Sequence, residues 1–260
     1  MKQLIEIELI KLKANRSVWI MAAIYALISI YIVGQTSSLG SATSALGASD
    51  PLSFPMIWMT GTYMSSFLVF FPAILIILNS GNEFNFKTSR QHIIDGLSRD
   101  QFILLKFVTI LIIAVTLTLF IFILCLLIGL TAENDLAFGE QFSYIIGYFI
   151  YLVGVMSFAQ LIVFIFKRTG VSIGVFVGYY FCLEPILYWS VFHNSNAKFY
   201  LPIETFDNLL FSPLKDNIDN LNLGFNNLSY SLDWSNAFIA LIYIGVYLLI
   251  IRTIFKSRDL

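Results

Sequence analysis

Six long apolar runs constrain this chain more than any other feature. They are Ser17 to Val33, Met56 to Leu78, Phe102 to Leu130, Phe142 to Phe166, Val171 to Phe192 and Ala237 to Phe255. About 20 such residues in a helix cross a hydrocarbon core roughly 30 Å thick. Backbone N–H and C=O groups find no partner in hydrocarbon, so each run is read as a helix. The expected fold is all-α: a polytopic integral membrane protein with six transmembrane helices in a single domain over residues 1–260.

Composition agrees, with 58% hydrophobic and 12% charged residues, against about a quarter charged in an ordinary soluble domain. The first run follows a basic segment, but that segment also carries Glu6 and Glu8 and is rich in Leu and Ile, which favours a retained anchor over a cleaved signal. Cys125 and Cys182 fall inside two of the runs and are read as packing residues.

Charge sets the orientation. With the N-terminus inside, cytoplasmic segments hold Lys2, Lys11, Lys13, Arg16, Lys87, Arg90, Arg99, Lys106, Lys167, Arg168, Arg252, Lys256 and Arg258, which is 13 of the 15 basic residues. Only Lys198 and Lys215 fall outside, among Asp50, Glu133, Asp135, Glu140, Glu204, Asp207, Asp216, Asp219 and Asp233. Basic loops resist translocation, so both termini are expected in the cytoplasm. Residues 193–236 form a long outer segment in which Phe206, Leu209, Leu210 and Leu214 suggest a re-entrant or interfacial stretch.

Ionisable and polar residues are rare within the runs. Glu184, followed by Pro185, either lines a pathway or reaches headgroup water, and Gln160 and Asn79 are read chiefly as interhelical hydrogen-bond formers. Gln160 is kept with Glu184 as a possible pathway residue. Pro72 is expected to kink the second helix. Gly170, Gly174 and Gly178 repeat at four-residue spacing and mark a helix-packing seam, within the subunit or between subunits.

Catalytic patterns are thin. The sequence holds no H-E-x-x-H and no phosphate-binding G-x-x-x-x-G-K-[ST]. His193 with Asn196 matches part of an intramembrane-protease pattern, without the paired glutamates that would accompany it. No catalytic, metal-binding or cofactor-binding residue is therefore assigned, and any ATP used must bind another chain.

The segment GNEFNFKTSRQHIIDGLSRDQFILLK, residues 81–106, is the most informative. Phe86, Ile93, Ile94 and Leu97 share one helical stripe, which predicts an amphipathic helix over 84–95. Gly96 suits a left-handed stop, and Ser98 with Gln101 makes a capping box for the next helix, stapled by Leu97 and Phe102. In the N-terminal segment, residues 1–16, Ile5, Leu9 and Leu12 make one stripe and Leu4, Ile7 and Ile10 a second, which suits a helix touching both protein and lipid.

The 81–106 segment resembles the cytoplasmic loop of type-2 ABC transporter permeases: an acidic residue, a Thr, a small-residue turn, then Ser-Arg and a Lys. Glu83, Thr88, Gly96, Leu97, Ser98, Arg99 and Lys106 stand at the matching positions. The N-terminal segment with Glu8, Lys11 and Lys13, the six spans, and Tyr200, Leu201 and Pro202 before the last span fit the same family. The resemblance implies a transmembrane permease subunit, exporting rather than importing, in the cytoplasmic (inner) membrane of a bacterium.

It also implies a coupling helix in the cytoplasmic loop 81–101, an interfacial N-terminal helix, ABC ATPase subunits and a second permease subunit as partners, and no role in binding nucleic acid. Glu83, Phe86, Thr88, Arg90, Ile93, Ser98 and Arg99 are then the ATPase-coupling residues. An intramembrane enzyme acting on lipid or peptide, and a non-transporting anchor or assembly subunit, are the rival readings.

Overall fold

The computed structural model describes residues 2–44, 54, 56–131, 142–192, 195–210, 232 and 234–257. Among them every regular element is helical. The order is α1 (Lys2–Ala14), α2 (Arg16–Ser44), α3 (Met56–Ser66), α4 (Phe70–Asn85), α5 (Thr88–Ile94), α6 (Arg99–Gly129) and α7 (Ser143–Phe166). Next comes a 23-residue helix, Thr169–Val191. It runs as α8 (Thr169–Gly178), π-helical Tyr179–Leu183, α9 (Glu184–Ile186) and π-helical Leu187–Val191. A 3-10 turn (Asn196–Tyr200), α10 (Glu204–Asp207) and α11 (Trp234–Ser257) follow. Among the described residues five helices are long and apolar enough to cross a membrane, or six if α3 and α4 count as one bent span.

The second apolar run is therefore not one straight helix. Its halves meet at 48°, and the break lies at Phe67–Val69, upstream of the kink expected at Pro72 itself. A proline has no N–H and its ring presses on the carbonyl four residues earlier, here Leu68. That carbonyl instead accepts from Phe71 N at 3.0 Å, and Pro72 settles into the first turn of α4, where N–H groups lack helical partners anyway.

Local chemistry sets the other boundaries. Asn15 ends α1 and starts α2: its Oδ1 accepts from Ser17 N at 3.0 Å, while the Trp19 indole donates to the Lys13 carbonyl at 2.8 Å. Lys87, at φ 57°, separates α4 from α5, so the amphipathic helix expected over 84–95 is shortened to Thr88–Ile94 and Phe86 sits outside it. Gly96 takes φ +100°, and Ser98 opens α6 with the full capping box, as the sequence predicts. At 1.5 Å per residue the 31 residues of α6 span about 46 Å, longer than a hydrocarbon core.

α7 is the central post. Nearly all of it is buried, and it packs against α3, α4, α6, α8, α10 and α11. At the end of the bundle that carries α1 and α5, Phe84, Phe102, Phe164 and Phe255 knot four helices together. Their ring centroids are 5.1 Å apart for Phe84–Phe164, 5.2 Å for Phe102–Phe255 and 5.4 Å for Phe164–Phe255. At the far end Trp58 stacks on Phe122 at 5.4 Å. α10 dips into the bundle, with Phe206 and Leu209 buried. His193, Leu214 and most of the loops at 45–53, 132–141 and 211–231 lie outside the described residues.

Candidate functional site

The α5 end holds the densest polar cluster of the described residues. Lys106, two turns into α6, is only 2% exposed, which an ammonium tolerates only beside counter-charges. It has two. Its Nζ lies 3.2 and 3.3 Å from the Glu8 carboxylate oxygens and 2.7 Å from Glu83 Oε1. Lys11 Nζ completes a neutral foursome, 3.2 Å from Glu8 Oε1 and 3.1 Å from Glu83 Oε1.

The third donor position of Lys11 faces His92 Nε2 at 3.0 Å. A charged ammonium has no acceptor capacity, so Nε2 accepts and the ring proton sits on Nδ1. One network thus ties α1, the end of α4, α5 and the start of α6. The Phe102 ring lies under it, 5.5 Å from Lys106 Nζ.

α1 docks through the first of its two stripes: Glu8 and Leu12 are buried and Ile5 and Leu9 half-buried, while Ile7 and Ile10 of the second remain exposed. Burial by itself would raise the Glu8 carboxyl, but the ammonium groups of Lys106 and Lys11 outweigh it and hold the pKa below the ordinary value. A lowered carboxyl contributes stability that is present above its unfolded pKa and is lost as pH falls through the folded value. Hydrogen exchange of α1 is therefore expected to stay protected through mildly acidic pH and to rise only below the ordinary carboxyl range. Glu8→Gln should remove that dependence.

The residues singled out on α5 divide by face. Glu83 is buried in the cluster, and Thr88 Oγ1 caps back to the Glu83 carbonyl at 3.3 Å. Ile93 and Leu97 pack against the core, whereas Phe86 and Ile94 are each 76% exposed and Arg90 points to the surface. The four apolar residues read as one stripe therefore lie on two sides: Lys87 turns the chain between Phe86 and α5, and Ile94, next to Ile93 on α5, faces outward.

Ser98 caps α6, and Arg99 donates to the carbonyls of Phe255 and Lys256 at 3.2 and 2.7 Å, closing the end of α11. Asp100 meets Arg252 Nε at 2.9 Å and Lys256 Nζ at 2.8 Å beside it.

Residues 50–260 match a family model described as protein of unknown function, DUF2705. The chain belongs to the DUF2705 family. No curated protein matches it. Within this DUF2705 chain the family match covers Glu83, His92 and Lys106, while Glu8 and Lys11 lie before it.

Elsewhere in the DUF2705 bundle, Gln160 Oε1 accepts from Ser80 at 3.0 Å, an interhelical bond of the kind expected. The amide nitrogen of Asn79 meets no acceptor among the described residues. Cys125 is buried as expected, but Cys182 is exposed and fills no core position. Gly170, Gly174 and Gly178 meet no neighbour within 4 Å of an added Cβ, so none of the described helices covers that face. Close packing does require glycine at Gly61, Gly129 and Gly147, at Gly81, where a Cβ would lie 2.6 Å from Thr169 Oγ1, and at Gly154, beneath the Phe206 ring.

Sequence reading placed Lys106 with the basic cytoplasmic residues and gave it no counter-charge. The available signal was an ionisable residue four positions inside an apolar run, which needs a counter-charge.

Proposed function

We infer that this chain is the transmembrane permease subunit of an ATP-driven ABC exporter, working with separate ATPase subunits and a second permease subunit in the cytoplasmic membrane of a bacterium. One observation carries the reading. A short helix, α5, exposes Phe86, Arg90 and Ile94 around it and is wired through His92 and Lys11 to Glu8, Glu83 and Lys106. A push on α5 is thereby delivered to α1, α4 and α6 together, which is what coupling to an external motor requires.

Both termini are then cytoplasmic, with the α5 end facing the cytoplasm, and hydrolysis takes place on the partner.

The test is purification from native membranes, with Phe86→Ser and Ile94→Ser combined, and with Arg90→Ala. These side chains are exposed, so expression and thermal stability should hold while ATPase retention falls roughly thirtyfold, the effect of losing about 2 kcal/mol at an interface. No ATPase in the wild-type complex, or full retention and activity in both variants, would return the chain to the enzyme or anchor readings.

A further inference from the structure

In the far half of the bundle, the Thr169–Val191 helix abandons α-geometry twice. π-Helical turns are rare single-turn insertions in α-helices, frequent at functional sites, and here two flank Glu184–Ile186. They surround a cavity of about 370 Å³, within the range of small-molecule sites. Its lining includes Tyr180, Phe181, Tyr188 and Trp189 from the π turns and Phe67 from the α3–α4 break. Glu184, Glu204 and Asp207 supply carboxyl groups, and none of the described lining residues is basic.

Glu184 is 5% exposed and only half used. Its Oε1 accepts from the backbone N–H groups of Ile203 and Glu204 at 2.8 and 2.6 Å, which holds the approach to α10. Its Oε2 makes no hydrogen bond of full geometry among the described residues, and the Tyr179 hydroxyl interacts with the carboxyl group from beside it. A buried carboxylate oxygen left over in an aromatic-walled cavity suits one class of ligand. Ring faces attract an ammonium, most strongly when it is desolvated, and a carboxylate supplies the counter-charge.

The rim already shows this preference, for the Lys198 ammonium lies 5.3 Å from the Tyr188 ring centroid and 5.0 Å from that of Phe199. An inorganic cation would leave the rings without a role, and an anion would meet three carboxyls.

We propose that this cavity binds an organic cation, an apolar body carrying an ammonium, phosphonium or guanidinium charge, held by Glu184 and by the Tyr188 and Trp189 rings. As the cargo site it rests on the permease reading; as a binding site it stands without it.

The full chain in nanodiscs of zwitterionic phosphatidylcholine is titrated with tetraphenylphosphonium, and with tetraphenylborate as an anion of the same shape. The expected result is saturable binding of the cation alone. Glu184→Gln should weaken it roughly tenfold or more, and Trp189→Ala roughly fivefold, the effect of one exposed cation–π contact.

Trp189 is 64% exposed, so its truncation leaves the fold intact and decides the matter should Glu184→Gln displace α10. Absent saturation, equal binding of the borate, or unchanged affinity in Trp189→Ala would overturn the proposal. ATP plays no part in the titration, so a negative result leaves the permease reading standing. A permease without its ATPase leaves this site standing.

Discussion

Lys106→Met is expected to cost about 3–5 kcal/mol of stability, because it strands the buried Glu8 and Glu83 carboxylates with only the half-exposed Lys11 between them. Methionine fills much the same volume, so packing loss contributes little and the deficit reports the charge. Thermal unfolding in detergent measures it, and hydrogen exchange should show α1 and α5 loosening before the core around α7. Adding Glu8→Gln and Glu83→Gln to Lys106→Met removes the stranded charges and should recover much of the loss.

That recovery separates two uses of the cluster. Buried ion groups are often dispensable for stability once their partners are replaced together. A triple variant that is stable yet uncoupled would mean that the network transmits motion between α5 and the spans. A triple variant that is stable and fully coupled would mean that α5 acts through its apolar packing, by Ile93 and Leu97.

How much of this was legible follows from the range of each interaction. The Ser98–Gln101 capping box, the left-handed Gly96 and the two stripes of α1 were readable because each is decided within a turn or two of helix. The Glu8–Lys106 pair joins residues 98 positions apart and Lys11–Glu83 72 apart, so no local spacing announces them. Phe86 was misplaced for a different reason. Periodicity assumes an unbroken helix, and the positive φ of Lys87, unusual for a residue with a side chain, breaks the count just beyond it.

Glycine spacing has a similar limit, since the repeat at 170, 174 and 178 identifies one helix face and says nothing of whether this chain or a second subunit covers it. The aromatic and acidic cavity was legible only as Glu184 alone. Its walls come from π turns and from the α3–α4 break, neither of which has a sequence periodicity.

Gly154→Val should be among the most damaging single substitutions in the described core, costing about 3 kcal/mol, at the upper end for overpacking. A Cβ at Gly154 would lie 2.1, 2.3 and 2.5 Å from three carbons of the Phe206 ring, and valine adds two methyls to that clash. The ring has little room to yield, for Phe206 is fully buried and also faces Tyr243 and Tyr247, with centroids 6.4 and 6.3 Å away. The predictable consequence is expulsion of α10 from α7, with loss of the backbone bonds that Ile203 and Glu204 donate to Glu184.

Phe206→Ala in the same chain should restore part of the stability by making room, so a double-mutant cycle reads the clash directly. Gly174→Leu is the matched control. With no described residue within 4 Å of its Cβ, it should leave the unfolding of the isolated subunit unchanged. It should lower stability only in an assembly whose second subunit covers that face. Equal sensitivity of Gly154 and Gly174 in the monomer would contradict this packing of α7, because only one of the two has a neighbour to displace.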